Sequence, residues 1–375
     1  MAKIKRASFS AGLAAACLCA LLSACGGGCS ESTSSRSAET IRSPSDATSV
    51  PASDARFSFP SGIAADTSGN VYVTDTGNYS IRMVSADGRV DTLAGTAGEK
   101  GTKDGTGVEA RFDHPIGITA DKNGNLFVLD ANAIRKITPE GKVTTFAGAG
   151  AEAGYADRIG TAALFNQPEG IAAGTDGNLY VADTGNRVIR RITPLGEVST
   201  VTKLDQEPIH SIAVIGNRLY VGGENCMWRI DLSSMGGIVL ARMGGEIGVY
   251  DNVDGATGIR FWPLTGITVD RAGNVYAVES FSRPQQLAPV GAIRKMTPSA
   301  NGLEFTASTV AGNPALSGSA DGTGSTALFN LPIGIAAGPE GELYVTDSRN
   351  HTIRKVIPDG VVTTIAGKAG EPGSK

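Results

Sequence analysis

The 375-residue sequence predicts an all-β chain of six four-stranded antiparallel sheets set radially, a six-bladed β-propeller, and three recurring markers carry the prediction. A Gly-Ile or Ser-Ile pair occurs at 62–63, 117–118, 170–171, 211–212, 266–267 and 334–335. An aromatic residue follows each pair, at Tyr72, Phe127, Tyr180, Tyr220, Tyr276 and Tyr344. An Ile-Arg or Trp-Arg pair then completes each unit, at 81–82, 134–135, 189–190, 228–229, 293–294 and 353–354.

The third unit, PEGIAAGTDGNLYVADTGNRVIRRITPLGEVSTV from Pro168 to Val201, shows the elements in order. Four short runs read as strands: Gly170–Ala173, Leu179–Ala182, Val188–Ile192 and Val198–Val201. Asp176-Gly177-Asn178, Asp183-Thr184-Gly185-Asn186 and Pro194-Leu195-Gly196 separate them as turns. The second run is almost continuously apolar, so both of its faces are covered. One meander cannot do that alone, whereas radial stacking covers both faces and leaves only short edges. The first unit starts near Gly62 and the last ends with Val361–Ile365, each with its own four runs. Closure is therefore expected from blade one packing on blade six, without an N-terminal strand completing the last blade. The 50 glycines and 6 % aromatic content fit a chain with many tight turns.

The first 24 residues read as an address: Lys3, Lys5 and Arg6, then an apolar stretch from Ala11 to Leu22 that is short for a membrane span. Leu22-Ser23-Ala24-Cys25 resembles the lipobox of bacterial lipoproteins, which implies cleavage before Cys25 and lipidation of its thiol. Residues 25–55, rich in Ser, Thr, Gly and Ala, are expected to form a flexible tether, with the propeller occupying 56–375. The expected location is the outside of a bacterial membrane, with lipid-anchor sorting to the outer membrane favoured by Gly26 after the lipidated cysteine. The chain carries −4 overall, and the three basic residues of the leader make the remainder more acidic still. That balance argues against nucleic acid as a partner. Cysteines are too few for a disulfide framework, and a Cys29–Cys226 bridge is not expected.

The template resembles the NHL repeat, whose pattern runs P-x-G-I-A-x-D-x-x-G-N-L-Y-V-A-D-x-x-N-x-x-I-R-x-I-x-x-x-G. Residues 168–196 match almost throughout and 60–88 and 332–360 nearly as well, and the resemblance extends over roughly 56–367. Unit four departs most: Ser211 replaces Gly, Gly223 replaces the acid after the second run, and Trp228 replaces Ile. The resemblance implies a six-bladed propeller that usually binds a ligand or protein and in some relatives is an enzyme.

The acids after the second run, Asp75, Asp130, Asp183, Glu279 and Asp347, recur in five units. A group needed once for chemistry need not recur, so they read as turn-fixing, with Asn78, Asn186 and Asn350 beside three of them. The recurring arginine reads as a surface or inter-blade bond, and Asp104, Asp254 and Asp321 as turn residues rather than calcium ligands. His114, His210 and His351 fall on one face, that of the first-run starts and second-to-third-run loops. His210-Ser211-Ile212-Ala213 resembles one histidine segment of the peptidyl-hydroxyglycine amidating lyase, a relative with a three-histidine zinc site. The match stops there, and no metal or other cofactor is expected. The two-histidine spacing of streptogramin lyases and the inner-strand acids of gluconolactonase-like enzymes have no counterpart.

The sequence thus favours a monomeric binding scaffold for an unknown protein, peptide or glycan ligand. The alternative is a metal-dependent propeller lyase or lactonase using the face of His114 and His210. On that face the irregular residues His210, Glu224, Trp228, Trp262, Phe281 and Arg283 are the candidate ligand-binding set, with Trp228 also readable as a core replacement for Ile and the loop of Phe281 and Arg283 as a neutral insertion.

Overall fold

In the computed structural model, which describes residues 49–205, 207–232, 238–281, 290–299 and 304–375, the six expected units fold into six antiparallel meanders. Their innermost strands are Pro60–Ala65, Pro115–Ala120, Pro168–Ala173, Ile209–Ile215, Leu264–Val269 and Pro332–Ala337. Each pairs in turn with a second, third and outer strand in sequence order. Three blades differ from the expected four strands: Val50–Pro51, Gly105–Thr106 and Gly322–Thr323 add a short fifth strand outside blades one, two and six.

The innermost strands approach closely because each carries Gly or Ser before its Ile. A Cβ on Gly62 would lie 2.1 Å from the Ile116 carbonyl of the next blade, and one on Gly334 would lie 2.4 Å from the Ser61 carbonyl. The second contact spans the junction between blades six and one. Thr346 Oγ1 donates to the same Ser61 carbonyl at 2.5 Å. The core is divided into six apolar clusters, one between each pair of neighbouring blades, and Phe57, Ile63 and Val73 meet Tyr344 and Ile353 at the junction. The ring therefore closes by packing, as the sequence predicts, with no strand exchanged between the terminal blades among the described residues.

The recurring arginine is neither at the surface nor between blades. Arg190 is fully buried, donating to Asp183 at 2.8 Å and to Asp157 of the incoming linker at 2.7 Å, with its guanidinium 5.0 Å from the Phe165 ring centre. Arg135, Arg294 and Arg354 repeat the arrangement with Asp130 and Asp104, Glu279 and Asp254, and Asp347 and Asp321. The linker aspartates thus do more than make turns: Asp104, Asp254 and Asp321 also accept from Thr145, Thr309 and Thr364 of the outer strands. The acids after the second strand do fix their loops, since Asp183 accepts from the Asn166 backbone and the Asn186 amide, and they are buried ion-pair partners as well. Burial pushes Asp75 and Asp347 up to about 6 against the pull of their arginines.

The propeller begins earlier than residue 56. Val50 pairs with Val90, and Ala52 and Ala55 are buried, so residues 49–55 pack on blade one rather than belonging to a tether. The C-terminal residues complete the same region: the Lys375 carbonyl accepts from Arg82, and Gly373 N donates to the Phe57 carbonyl. Cys25 and the remainder of the expected tether lie outside the described residues.

Candidate functional site

The innermost strands start on one face of the ring, and the residue before each Gly-Ile or Ser-Ile pair points into a shared mouth. These residues are Ser61, Ile116, Glu169, His210, Thr265 and Ile333. This position varies between blades and, together with His114 and Glu224, makes the mouth asymmetric. Below it lie Ile63, Ile118, Ile171, Ile212, Ile267 and Ile335, and the cavity they enclose measures about 430 Å³.

Blades three and four place the charged groups. Glu169 Oε2 lies 2.7 Å from His210 Nδ1, and Glu224 Oε2 lies 3.0 Å from His210 Nε2. Burial of the imidazole acts to lower its pKa, but the hydrogen bonds and charges of Glu169 and Glu224 outweigh it, and the net shift is upward. The Tyr250 hydroxyl reaches Glu224 Oε1 at 3.4 Å. From Tyr250 a ring stack continues outward: Phe281 packs on Tyr250 at 5.8 Å and on Trp262 at 5.6 Å, both near parallel.

Gly223 makes room for this departure. Blade four lacks the buried acid there, and a Cβ on Gly223 would sit 3.0 Å from Glu207 Oε1 and 2.8 Å from the Trp228 ring. Glu207, arriving on the linker, fills the vacated space and is itself buried, its pKa raised by that burial. Cys226 beside it is a buried free thiol, pushed up to about 12 by burial and the Glu207 charge.

The predicted residues therefore separate. His210 and Glu224 line the mouth together. Phe281 is half-buried and Trp262 is 2 % exposed; neither lines the mouth, and Phe281 is tied to it through its stack on Tyr250, which contacts Glu224. Trp228 is 5 % exposed and belongs to the core between blades three and four, occupying the position where the other blades have Ile, so it offers no surface to a ligand. Arg283 lies outside the described residues. The sequence reading missed Glu169 and Tyr250. Glu169 could have been found by comparing the residue before each Gly-Ile pair; Tyr250 lies in an irregular linker with no repeat to align it.

The histidines do not form a metal site. His114 lines the mouth and is exposed, but His351 is buried at the ring junction, where its Nδ1 accepts from Phe59 N at 3.1 Å. Among the described residues no group of three His, Cys, Asp or Glu side chains is arranged to hold a metal.

The opposite face carries a cavity of similar size, about 420 Å³, lined by Asp66, Asp121 and Asp270. Those acids are consumed by their own turns: Asp66 accepts from Ser68 N, from both nitrogens of Asn70 and from the Tyr72 hydroxyl, and Asp270 repeats the pattern. Size does not distinguish the faces, and exposed Lys122 and Arg271 also line this second cavity; the faces differ in the charge they offer, basic here and acidic at the mouth of Glu169 and Glu224.

The NHL repeat family model matches residues 57–82, 165–187 and 329–356. NHL repeat-containing protein 2 of Bos taurus is 37 % identical over 153 residues, 36 % of this chain and 21 % of that protein, so the chain spans about a fifth of this relative's length. Among solved structures, an auxiliary nutrient binding protein from Bacteroides ovatus shares the fold over 85 % of this chain and 72 % of its own, with a TM-score of 0.62 and 19 % identity. A virginiamycin B lyase from Staphylococcus aureus shares it over 84 % and 87 %, with a TM-score of 0.51 and 17 % identity. The chain is thus a six-bladed β-propeller, and three of its six blades carry segments that match the NHL repeat.

Proposed function

We propose that the protein is a binding scaffold, anchored by a lipid on Cys25 to the outside of a bacterial envelope, which captures a small solute at the mouth lined by Glu169, His210 and Glu224. The observation that carries this reading is the gathering of blade-specific polar residues at one end of an otherwise uniform ring. A ligand seldom has six-fold symmetry, so a propeller needs such asymmetry to orient one. The fold shared with a nutrient binding protein of Bacteroides ovatus agrees with this role.

The geometry favours binding over a lyase or lactonase reaction. Both ring nitrogens of His210 are engaged by carboxylates, which leaves no free lone pair to act as a general base. His114, the other histidine of the mouth, meets the Asp130 carboxylate through its backbone N–H, and among the described residues no carboxylate is hydrogen-bonded to its ring.

The test is a thermal-shift screen of the purified chain against solutes of several nutrient classes, repeated on Glu169→Gln/His210→Gln. A stabilising solute whose effect disappears in the double variant supports the mouth as the site. A solute that stabilises both proteins equally, or no stabilising solute in any class, argues against it. Fatty-acid labelling tests the anchor: the label should be present on the wild type and absent from Cys25→Ala.

A further inference from the structure

We infer that the ligand of this mouth is an amphipathic amine, its ammonium held at Glu169 and Glu224 and its apolar tail lying in the throat below. The inference rests on the mouth being the ligand site and goes further by naming the chemistry that fits it.

The first argument is charge. The charged or ionisable side chains lining the mouth are Glu169, Glu224, His114 and His210, and no Lys or Arg lines it among the described residues. Two carboxylates share one clamped imidazole, so that cluster keeps a net negative charge whether or not His210 carries a proton. The carboxylates give one oxygen each to His210, and Glu224 Oε1 receives only the 3.4 Å contact from Tyr250. They remain able to accept from an ammonium, and they repel carboxylates and phosphates.

The second argument is the throat. That throat is the ring of Ile63, Ile118, Ile171, Ile212, Ile267 and Ile335, whose side chains give it an apolar wall; the narrower space beneath, about 190 Å³, presents mostly polar atoms and marks where a tail would stop. In that narrower space the Thr119 and Thr268 hydroxyls accept the backbone N–H groups of Ala173 and Ala337 and keep their own hydrogens to donate. A hydroxyl-rich sugar would lose hydration against the isoleucine ring, whose side chains offer no hydrogen bond in return. A hydrocarbon chain loses nothing there and gains burial.

The experiment is calorimetric titration of the purified chain at pH 7.5 with n-alkylamines from propyl to octyl, and with n-alkanols and n-alkanoates of equal length. Amine affinity should rise about four-fold per added methylene until the throat is filled. Alkanols should bind at least about ten-fold more weakly, the difference between a charge-assisted hydrogen bond and a neutral one, and alkanoates should not bind. In Glu169→Gln/Glu224→Gln the preference for amine over alkanol should collapse while the dependence on chain length remains. Both carboxylates are partly exposed, so this variant should fold, and its melting temperature checks that. Equal binding of amine and alkanol, or an amine preference that survives in the variant, overturns the ligand class and leaves the mouth as the site. If no amine binds but another solute does so in a His210-dependent way, the class alone is again overturned. Failure of every solute overturns both readings.

Discussion

Replacing Arg190 by Met would test whether the repeated arginine is the fastener of each blade. Met keeps most of the packing against Phe165 and Tyr155 but removes the charge. Asp183 is fully buried and would keep only the Asn166 backbone donor and the Asn186 amide, at 2.8 Å each. Breaking a buried pair by removing one partner costs about 3–5 kcal/mol, because the other charge stays buried and uncompensated. Asp157→Asn removes the linker partner instead. That carboxylate is 41 % exposed, so the loss should stay below about 1 kcal/mol. Guanidinium denaturation monitored by circular dichroism separates the two. The pH dependence adds a second check. Burial already raises Asp183, and without Arg190 nothing nearby of opposite charge opposes it. Its folded pKa then stands further above the unfolded value, so the penalty is full at neutral pH and shrinks as pH falls through the folded pKa. The reasoning is refuted if Arg190→Met and Asp157→Asn destabilise equally, or if the cost of Arg190→Met does not shrink in acid.

Three further outcomes follow from the same geometry. His351 is buried with its pKa lowered by desolvation, so its contribution is present above about 6.5 and lost as pH falls; His210 is raised, so its contribution is present below about 6.5 and lost as pH rises through its folded pKa. His351→Asn should therefore flatten the acid side of the melting-temperature profile and His210→Asn the alkaline side, and unchanged slopes in both would contradict the assignment. Deleting residues 26–48 should leave the melting temperature within a few degrees of wild type, whereas a deletion extending through Ala55 removes the Val50–Val90 pairing and two buried alanines and should lower it clearly. Trp262→Ala should destabilise the fold by about 3–5 kcal/mol because the ring is buried, while Phe281→Ala removes a half-buried ring that steadies Tyr250 beside Glu224 and should weaken ligand capture with a smaller loss of stability, both read by denaturation and calorimetry.

Much of this protein was legible in its sequence because repetition constrains what one residue alone cannot. The six Gly-Ile or Ser-Ile pairs, the six aromatics and the six Xaa-Arg pairs fixed the blade count, the strand order and the face on which irregularity collects. Closure by packing followed from four complete runs in each terminal unit. Position within a repeat does not reveal burial, however, so Arg190 and its equivalents read as surface or inter-blade groups until the linker aspartates and phenylalanines closed over them. Trp228 read as a ligand contact for the same reason: an aromatic that breaks a pattern can be a surface anchor or a larger plug for the core, and only packing against neighbouring blades decides which. The mouth itself belongs to tertiary structure. Glu169, His210 and Glu224 come from two blades and from segments up to 55 residues apart, Glu169 to Glu224, and what brings them within hydrogen-bonding distance is the radial convergence of the innermost strands.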